Sequence, residues 1–207
     1  MQRISVCLAL TAMLSACGGG GGSAGSGNTP LPDPTPVGGP LKKYEGAWLD
    51  ACDSHSRDST SITATNGGNT LLMTVKTEFY ANAGCTGAVV ATGTYPGPAI
   101  TLTYASTVQN ASVKLSSGEL VTAAVDVGDA AASGQNIIFT GSGVTSRTVN
   151  GRTVWHIEFG QGSTDVQFEL ATGSSKGGLL LRNGELWTVT PSGTGGTAFN
   201  VENRLTH

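Results

Sequence analysis

Charged residues are scarce in this chain, and stretches rich in helix-forming residues are few. Asp, Glu, Lys and Arg make up 12% of the 207 residues, about half of the roughly 25% found in ordinary domains. Fourteen acidic against eleven basic residues leave a net charge of −3, which excludes the basic surface that a nucleic-acid partner requires. Gly, Ser and Thr contribute 31, 19 and 27 residues instead. Because Thr favours strands while Gly and Ser favour turns, the composition predicts an all-β protein.

The sequence also lacks the motifs of common enzymes. It contains no P-loop, no dinucleotide-binding fingerprint and no HExxH. Residues Gly21–Gly25, with the letters GGSAG, match the G-x-S-x-G pattern of serine hydrolases, but they lie in a Gly-rich stretch and not on the strand-to-helix turn that the pattern requires. We therefore expect a protein that is not an enzyme, with no catalytic residue, no cofactor and no bound metal.

Long apolar runs are missing except near the N-terminus. Arg3 is followed by an apolar segment from Ile4 to Leu14, which is much shorter than the roughly 20 residues of a membrane-spanning helix. A short positive region, an apolar segment and then small residues are typical of an export signal. We interpret residues 1–16 as a signal peptide.

The end of this segment, Leu14-Ser15-Ala16-Cys17, resembles the lipobox of bacterial lipoproteins, whose Cys is diacylated and becomes the first mature residue. The resemblance implies an acyl anchor on Cys17, which holds the protein at a membrane by burying CH₂ groups. The alternative is an ordinary signal peptide with a chance Cys. Gly18 follows the Cys in place of the Asp that retains enterobacterial lipoproteins in the inner membrane, so the resemblance implies the outer membrane of the bacterial envelope.

A tether follows the predicted lipid. Residues 18–40 contain no apolar periodicity; their first half is rich in Gly and Ser and their second half in Pro. Such a segment is first flexible and then more extended, with an end-to-end distance of roughly 25–30 Å or more. We expect residues 17–40 to hold a folded domain, residues 41–207, away from the membrane surface.

Two cysteines remain for the folded domain. Cys7 leaves with the signal peptide and Cys17 takes the lipid, so Cys52 and Cys85 are left in an oxidising compartment. We predict a disulfide between them, which would stabilise the domain by about 4 kcal/mol on the chain-entropy account. Two free thiols or a metal pair are the alternatives, although no CxxC spacing supports a metal.

Alternating apolar and polar residues recur along residues 41–207 and predict short strands. The segment Ala123–Ala132, which has some helical character, is better explained as strand and loop because it contains β-branched residues and a glycine. Asn-Gly pairs favour type I′ hairpin turns and occur at Asn66-Gly67, Asn150-Gly151 and Asn183-Gly184. The pattern predicts an antiparallel meander of about eight to ten strands, closed into a β-barrel or, alternatively, folded as a β-sandwich.

The segment Tyr44-Glu45-Gly46-Ala47-Trp48 favours the barrel. Its Gly46-x-Trp48 resembles the first-strand signature of lipocalins and their calycin relatives, and the spacing from Tyr44 to Cys85 is similar to that of uncharacterised lipocalin-like lipoproteins of proteobacteria. In lipocalins and calycins a basic residue of the last strand packs across the Trp at one end of the barrel. The resemblance implies that Arg204 takes this place over Trp48, as a cation over an indole ring. It implies a fold and an envelope address, but no activity.

Two polar clusters could carry chemistry. The loop Asp50–Asp58 concentrates three carboxylates and His55, which suit calcium or zinc, but it lacks the calcium-loop spacing and is also what a solvated, disulfide-linked loop contains. His156 and Glu158 lie two apart on a predicted strand and so point to one side. They are either an acid–base pair, a polar contact inside the barrel, or the solvated face opposite Trp155, Ile157 and Phe159.

Aromatic residues are spread over nearly every predicted strand, where they either fill a core or line a cavity for an apolar ligand. The first hypothesis for function is a lipid-anchored barrel that binds a small apolar ligand. The second is a surface or periplasmic interaction module, non-catalytic or structural, with a filled interior. An internal cavity would favour the first hypothesis, and a packed interior would favour the second.

Overall fold

The computed structural model describes residues 38–167, 170–193 and 195–207. In these ranges the chain forms thirteen strands, two short 3₁₀ turns (Lys42–Tyr44 and Asn66–Gly68) and no α-helix, and no helix there is long and apolar enough to cross a membrane. The all-β prediction is confirmed, although the strands outnumber the eight to ten expected. They are β1 (Gly46–Leu49), β2 (Ser56–Thr65), β3 (Thr70–Asn82), β4 (Thr86–Thr94), β5 (Ile100–Lys114), β6 (Leu120–Ser133), β7 (Ile138–Thr140), β8 (Val144–Val149), β9 (Arg152–Phe159), β10 (Gly162–Val166), β11 (Thr172–Arg182), β12 (Glu185–Pro191) and β13 (Ala198–Leu205).

Ten of these strands form one mixed sheet that is partly closed into a ring. Its order is β1-β2-β3-β5-β13-β12-β11-β6, with β4 on β3 and β7 on β4, and β6 also pairs with β5. The expected antiparallel meander is correct only in part, because Ser112–Lys114 and Ala198–Asn200 pair in parallel. The reason is the length of β5, which has fifteen residues. Only its first residues pair with β3, so its second half offers a free edge to β13.

The hairpin turns form where the Asn-Gly pairs predict them. Asn150 and Gly151 have φ of 52° and 76°, and Asn183 and Gly184 have φ of 54° and 81°, which is the backbone that type I′ turns require. Asn66 also has a positive φ, of 50°, and opens the 3₁₀ turn between β2 and β3. The segment 123–132 lies within β6 and is strand, as predicted.

The large sheet carries apolar cores on both faces of β11 and β12. Because side chains alternate along a strand, Leu179 and Leu186 belong to one core, while Leu180 and Trp187 belong to the other. The first core comprises Leu41, Tyr44, Trp48, Ile62, Leu71, Met73, Leu102, Leu179, Leu186 and Leu205, with Ala130 packed against it. The second core comprises Ala111, Val113, Val125, Leu180, Trp187, Val189 and Phe199.

The first core lies inside the curved part of the sheet. Eight strands contribute to it, from β1 through β13, and the turn Lys42–Tyr44 adds Tyr44. The edge strand β1 meets the C-terminal end of β13 at a bridge, where the Leu49 N–H donates to the Thr206 carbonyl at 2.6 Å and the Thr206 N–H donates to the Leu49 carbonyl at 2.9 Å. This bridge adds to the partial closure of the sheet around the first core.

The second sheet contains β8, β9 and β10 and packs against β3 and β4. Its inner face is joined to the large sheet by a row of rings, which we term the aromatic ladder: His55, Phe159, Phe79, Phe139 and Trp155. Successive ring centroids in this row are 4.3, 6.1, 5.8 and 5.9 Å apart, which is the usual spacing of attractive aromatic pairs.

The two-faced packing predicts how three consecutive leucines of β11 respond to truncation. Leu179→Ala and Leu180→Ala should each lower the free energy of unfolding by about 2–5 kcal/mol, because each leaves a cavity in a different core. Leu181 is 42% exposed, and Leu181→Ala should change it by no more than about 0.5 kcal/mol. Urea unfolding followed by Trp fluorescence measures all three, and a cost at Leu181 equal to the other two would contradict this packing.

Candidate functional site

A buried carboxylate holds the turn Lys42–Tyr44 against the sheet. Asp126 is 2% exposed, and its two oxygens accept hydrogen bonds from the hydroxyls of Tyr44 and Thr107, both at 2.6 Å. The Lys43 ammonium lies 2.8 Å from the same carboxylate, and Tyr104 donates to Thr107 at 2.8 Å. Burial, and secondly the Asp126 charge, raise the pKa of Tyr44. Two hydroxyls and an ammonium thus meet the buried charge of Asp126, as a carboxylate removed from water requires.

Trp48 and Arg204 lie on different faces and do not pack together. Trp48 belongs to the first core, its Nε1 donates to the Tyr44 carbonyl at 3.0 Å, and the ring of His207 lies against it at 3.8 Å. Arg204 points away from this core, since its neighbour Leu205 fills it. Strand alternation therefore places Arg204 on the face away from Trp48, and the expected barrel-end pairing of these two residues does not form.

Arg204 nevertheless forms the expected kind of contact with another indole. Its guanidinium carbon lies 5.0 Å from the ring centroid of Trp187, which is opposite it on β12. Glu185 accepts hydrogen bonds from Arg204 at 2.6–2.9 Å and from the Trp187 Nε1 at 2.7 Å. The bond from Trp187, and then those from Arg204, lower the pKa of Glu185. The cation over an indole thus covers the second core and not the first.

The predicted disulfide between Cys52 and Cys85 is present. It joins the loop after β1 to the turn between β3 and β4. The carboxylates of this loop do not converge on His55, which stacks on Phe159 and has its Nδ1 3.0 Å from the Tyr80 carbonyl. In the portion of the chain that the structure describes, no three His, Cys, Asp or Glu side chains are grouped to hold a metal ion.

Asp58 is the loop carboxylate with an altered acidity. Burial raises its pKa, the hydrogen bond from Thr77 at 2.6 Å opposes that rise, and the charge of Asp50 adds to it. A carboxyl with a raised pKa is less stable in its charged form in the folded protein than in the unfolded chain. Ionisation of Asp58 therefore lowers the stability of the fold as the pH rises towards neutrality.

His156 and Glu158 share the outer face of the second sheet, opposite Trp155, Ile157 and Phe159. The stronger partner of His156 is Asp165, whose Oδ1 lies 2.8 Å from its Nδ1, while Glu158 is 3.9 Å from its Nε2. The hydrogen bond from His156, and next the charge of Arg147, lower the pKa of Asp165. This set is an exposed polar row across three strands.

Asp165 and Arg147 were not among the predicted site residues. The register of β9 and β10 places Asp165 directly opposite His156, so the position of the turn at residues 160–161 was the signal that could have found it. Without a fixed register, no spacing in the sequence distinguishes Asp165 from other surface carboxylates.

A groove of about 360 Å³ lies at the Trp155 end of the aromatic ladder. It is formed by three segments distant in sequence, namely the approach to β7, the start of β9 and the residue after β10. Sequence patterns did not indicate it, because its lining comes from three segments whose spatial proximity depends on the packing of the second sheet. Its lining residues are Asn136, Ile137, Ile138, Gly151, Arg152, Thr153, Trp155 and Gln167.

The raised pKa of Asp58 predicts a specific pH dependence. The stability that the protonated Asp58 carboxyl contributes is complete below the pKa of the unfolded carboxyl, about 3.9. It is lost as the pH rises through the higher pKa of the folded state. Asp58→Asn removes this loss and keeps an oxygen to accept from Thr77. The free energy of unfolding of the variant relative to the parent should therefore increase between pH 4 and pH 7.

Urea unfolding at both pH values provides the measurement. Asp129→Asn is the matched control, since Asp129 is an exposed carboxylate paired only with Lys176 among the residues described. A difference for Asp58→Asn that does not change with pH, or one that decreases towards pH 7, would contradict the assignment.

No protein-family profile, curated protein or solved structure matches this chain.

Proposed function

We propose that this chain is a lipoprotein of the bacterial cell envelope whose β-domain is a non-catalytic interaction module. The signal peptide (residues 1–16), the lipid on Cys17, the outer-membrane address and most of the tether rest on residues 1–37, which lie outside the described residues. The disulfide between Cys52 and Cys85 supports an oxidising compartment. The partner class is a membrane through the anchor and a further envelope or surface component through the domain, and the net charge of −3 argues against nucleic acid.

A calycin-like barrel is the finer architecture that we propose for the curved part of the large sheet. Contributions of eight strands to one inner core and the bridge between Leu49 and Thr206 support it. The parallel pairing of β5 with β13, the second sheet and the position of Arg204 over Trp187 are departures from the lipocalin pattern.

The packing of the first core is the observation that carries the proposed function. Side chains from eight strands meet there, and Leu71, Leu102, Leu179 and Leu186 are each at most 3% exposed. A carrier of small apolar molecules needs an empty interior volume of about 300–1,000 Å³. Among the described residues, large apolar side chains pack together inside the curved part of the sheet, where such a volume would have to lie. The filled interior favours interaction through the surface over the alternative, an apolar ligand held inside the domain.

Native mass spectrometry of the full chain, purified from envelopes, tests the anchor and the filled interior together. The mature protein should carry covalent acyl mass on Cys17, two hydrogens fewer for the disulfide, and no further molecule that is released on denaturation. Cys17→Ser is the control and should keep the signal peptide and lose the acyl mass.

Two results would overturn the proposal. Retention of acyl mass in Cys17→Ser would exclude the anchor as assigned. An apolar molecule released on denaturation in a constant ratio would show that the domain is a carrier.

A further inference from the structure

The disulfide between Cys52 and Cys85 links two irregular segments at one corner of the large sheet. It joins the loop after β1, residues 50–55, to the turn between β3 and β4, residues 83–85. We term these two segments the disulfide corner. Both cysteines are half-buried, and exposed residues lie beside each of them in the chain, so the corner is accessible to a dissolved reductant.

The corner lies against one end of the second sheet. The ring of His55 stacks on that of Phe159 at the end of β9, with centroids 4.3 Å apart and 12° between the planes. In the turn after β9, the Gly160 N–H donates to the Ala81 carbonyl of β3 at 3.2 Å. Among the described residues no strand of the second sheet pairs with a strand of the large sheet. Ring contacts and single hydrogen bonds of this kind therefore dock it.

Hydrogen bonds within the corner set the position of His55. Its Nδ1 lies 3.0 Å from the Tyr80 carbonyl, and its own carbonyl accepts from the Tyr80 N–H at 2.8 Å. The Gly84 N–H donates to the Ser54 carbonyl at 2.7 Å. The disulfide thus closes a corner whose hydrogen bonds hold the His55 ring against Phe159.

The backbone of the corner is strained at two positions. Ser54 and Cys85 both have φ of 55°, in the left-handed region that residues with a Cβ rarely adopt. Such conformations persist where the surrounding structure enforces them, and the disulfide links the two segments that contain them. Reduction removes this constraint and lets both residues return to ordinary φ values. Strained or exposed disulfides are also the ones that are reduced more easily.

We propose that the Cys52–Cys85 disulfide is a redox switch: reduction frees the disulfide corner and releases the Phe159 end of the second sheet, while the large sheet keeps its fold. Among the described residues neither core includes a residue of the corner, so the packing of the large sheet does not depend on it. The inference does not rest on the proposed interaction function.

The reductant that the switch requires is a dithiol. A thiolate of the dithiol attacks one sulfur of the bond and forms a mixed disulfide, which the second thiol of the same molecule resolves. Two electrons and two protons pass to the protein. Cys52 and Cys85 become thiols, and the reductant leaves as a disulfide.

NMR spectroscopy of the isotope-labelled full chain, oxidised and then reduced with dithiothreitol, tests the switch. The nuclear Overhauser contact between the His55 and Phe159 rings should be present in the oxidised protein and lost in the reduced one. The backbone order parameter of Gly160 should fall from about 0.85 to below about 0.6, the values of rigid and flexible backbone. Those of Leu180 and Val189, in β11 and β12, should stay at about 0.85. Reoxidation should restore the ring contact.

Three variants separate the disulfide from other effects of the reagent. The double variant Cys52→Ser, Cys85→Ser should show the reduced pattern without reductant and should not respond to dithiothreitol. His55→Ala keeps the disulfide and removes the ring, so it should release Gly160 in the oxidised protein and leave little for reduction to add. His207→Ala is the matched control, because it removes a histidine ring that packs on the first core, and the response of Gly160 to reduction should be unchanged.

Three outcomes would overturn the inference. One is that the contact between the His55 and Phe159 rings persists after reduction. Another is that reduction collapses the dispersion of the whole amide spectrum, because the disulfide would then hold the large sheet as well. The third is that the double cysteine variant keeps Gly160 ordered, which would show that the corner holds the second sheet without the covalent link.

Discussion

Alternation of side chains along β11 and β12 is the constraint on which the rest of this structure depends. Leu179 and Leu180, like Leu186 and Trp187, are neighbours in sequence, so they must point to opposite faces of the sheet. All four are large and apolar, and both faces therefore need an apolar cover. The first face is covered by β1, β2, β3, the first half of β5 and the turn that carries Tyr44, and the second by the distal half of the β5–β6 hairpin.

The length of β5 allows one strand to take part in covering both faces of the sheet. Fifteen extended residues reach about 50 Å, enough to pair with β3 at one end and with β13 at the other. Because β5 pairs with β3 only at Thr70–Met73, the same edge of β3 is free further along to pair with β4. The far part of β3 then presents Phe79 to the second sheet. The aromatic ladder and the groove beside Trp155 thus follow from how the long hairpin is shared between two cores.

Features set by neighbouring residues could be predicted from the sequence. The alternating runs, the Asn-Gly turns and the strand character of residues 123–132 all depend on local backbone preferences. The disulfide followed from the number of cysteines that the predicted signal peptide and lipid anchor leave for the domain. The all-β class followed from composition, and these predictions are confirmed.

Features that depend on register or on distant segments were not predictable in the same way. Arg204 packs on Trp187 and not on Trp48, because the side of a strand that a residue faces changes with a shift of one position. The parallel pairing of β5 with β13 joins segments about 85 residues apart, by the register of Ser112 with Ala198. Asp126 accepts a hydrogen bond from Tyr44, which is 82 residues away in sequence. The burial of Asp126 is evident only once the position of the turn Lys42–Tyr44 is known. The groove combines three segments that are distant in sequence, at β7, at the start of β9 and after β10.

A filled first core is the central claim of this account, and xenon tests it most directly, because xenon enters apolar cavities that are empty of side chains and water. Methyl NMR spectra of the folded protein should be recorded with and without dissolved xenon. The methyl signals of Leu71, Leu102 and Leu179 are expected to show no saturable shift, as in a close-packed interior. Saturable shifts confined to these methyls would reveal an internal cavity and would contradict the account in favour of an apolar-ligand carrier.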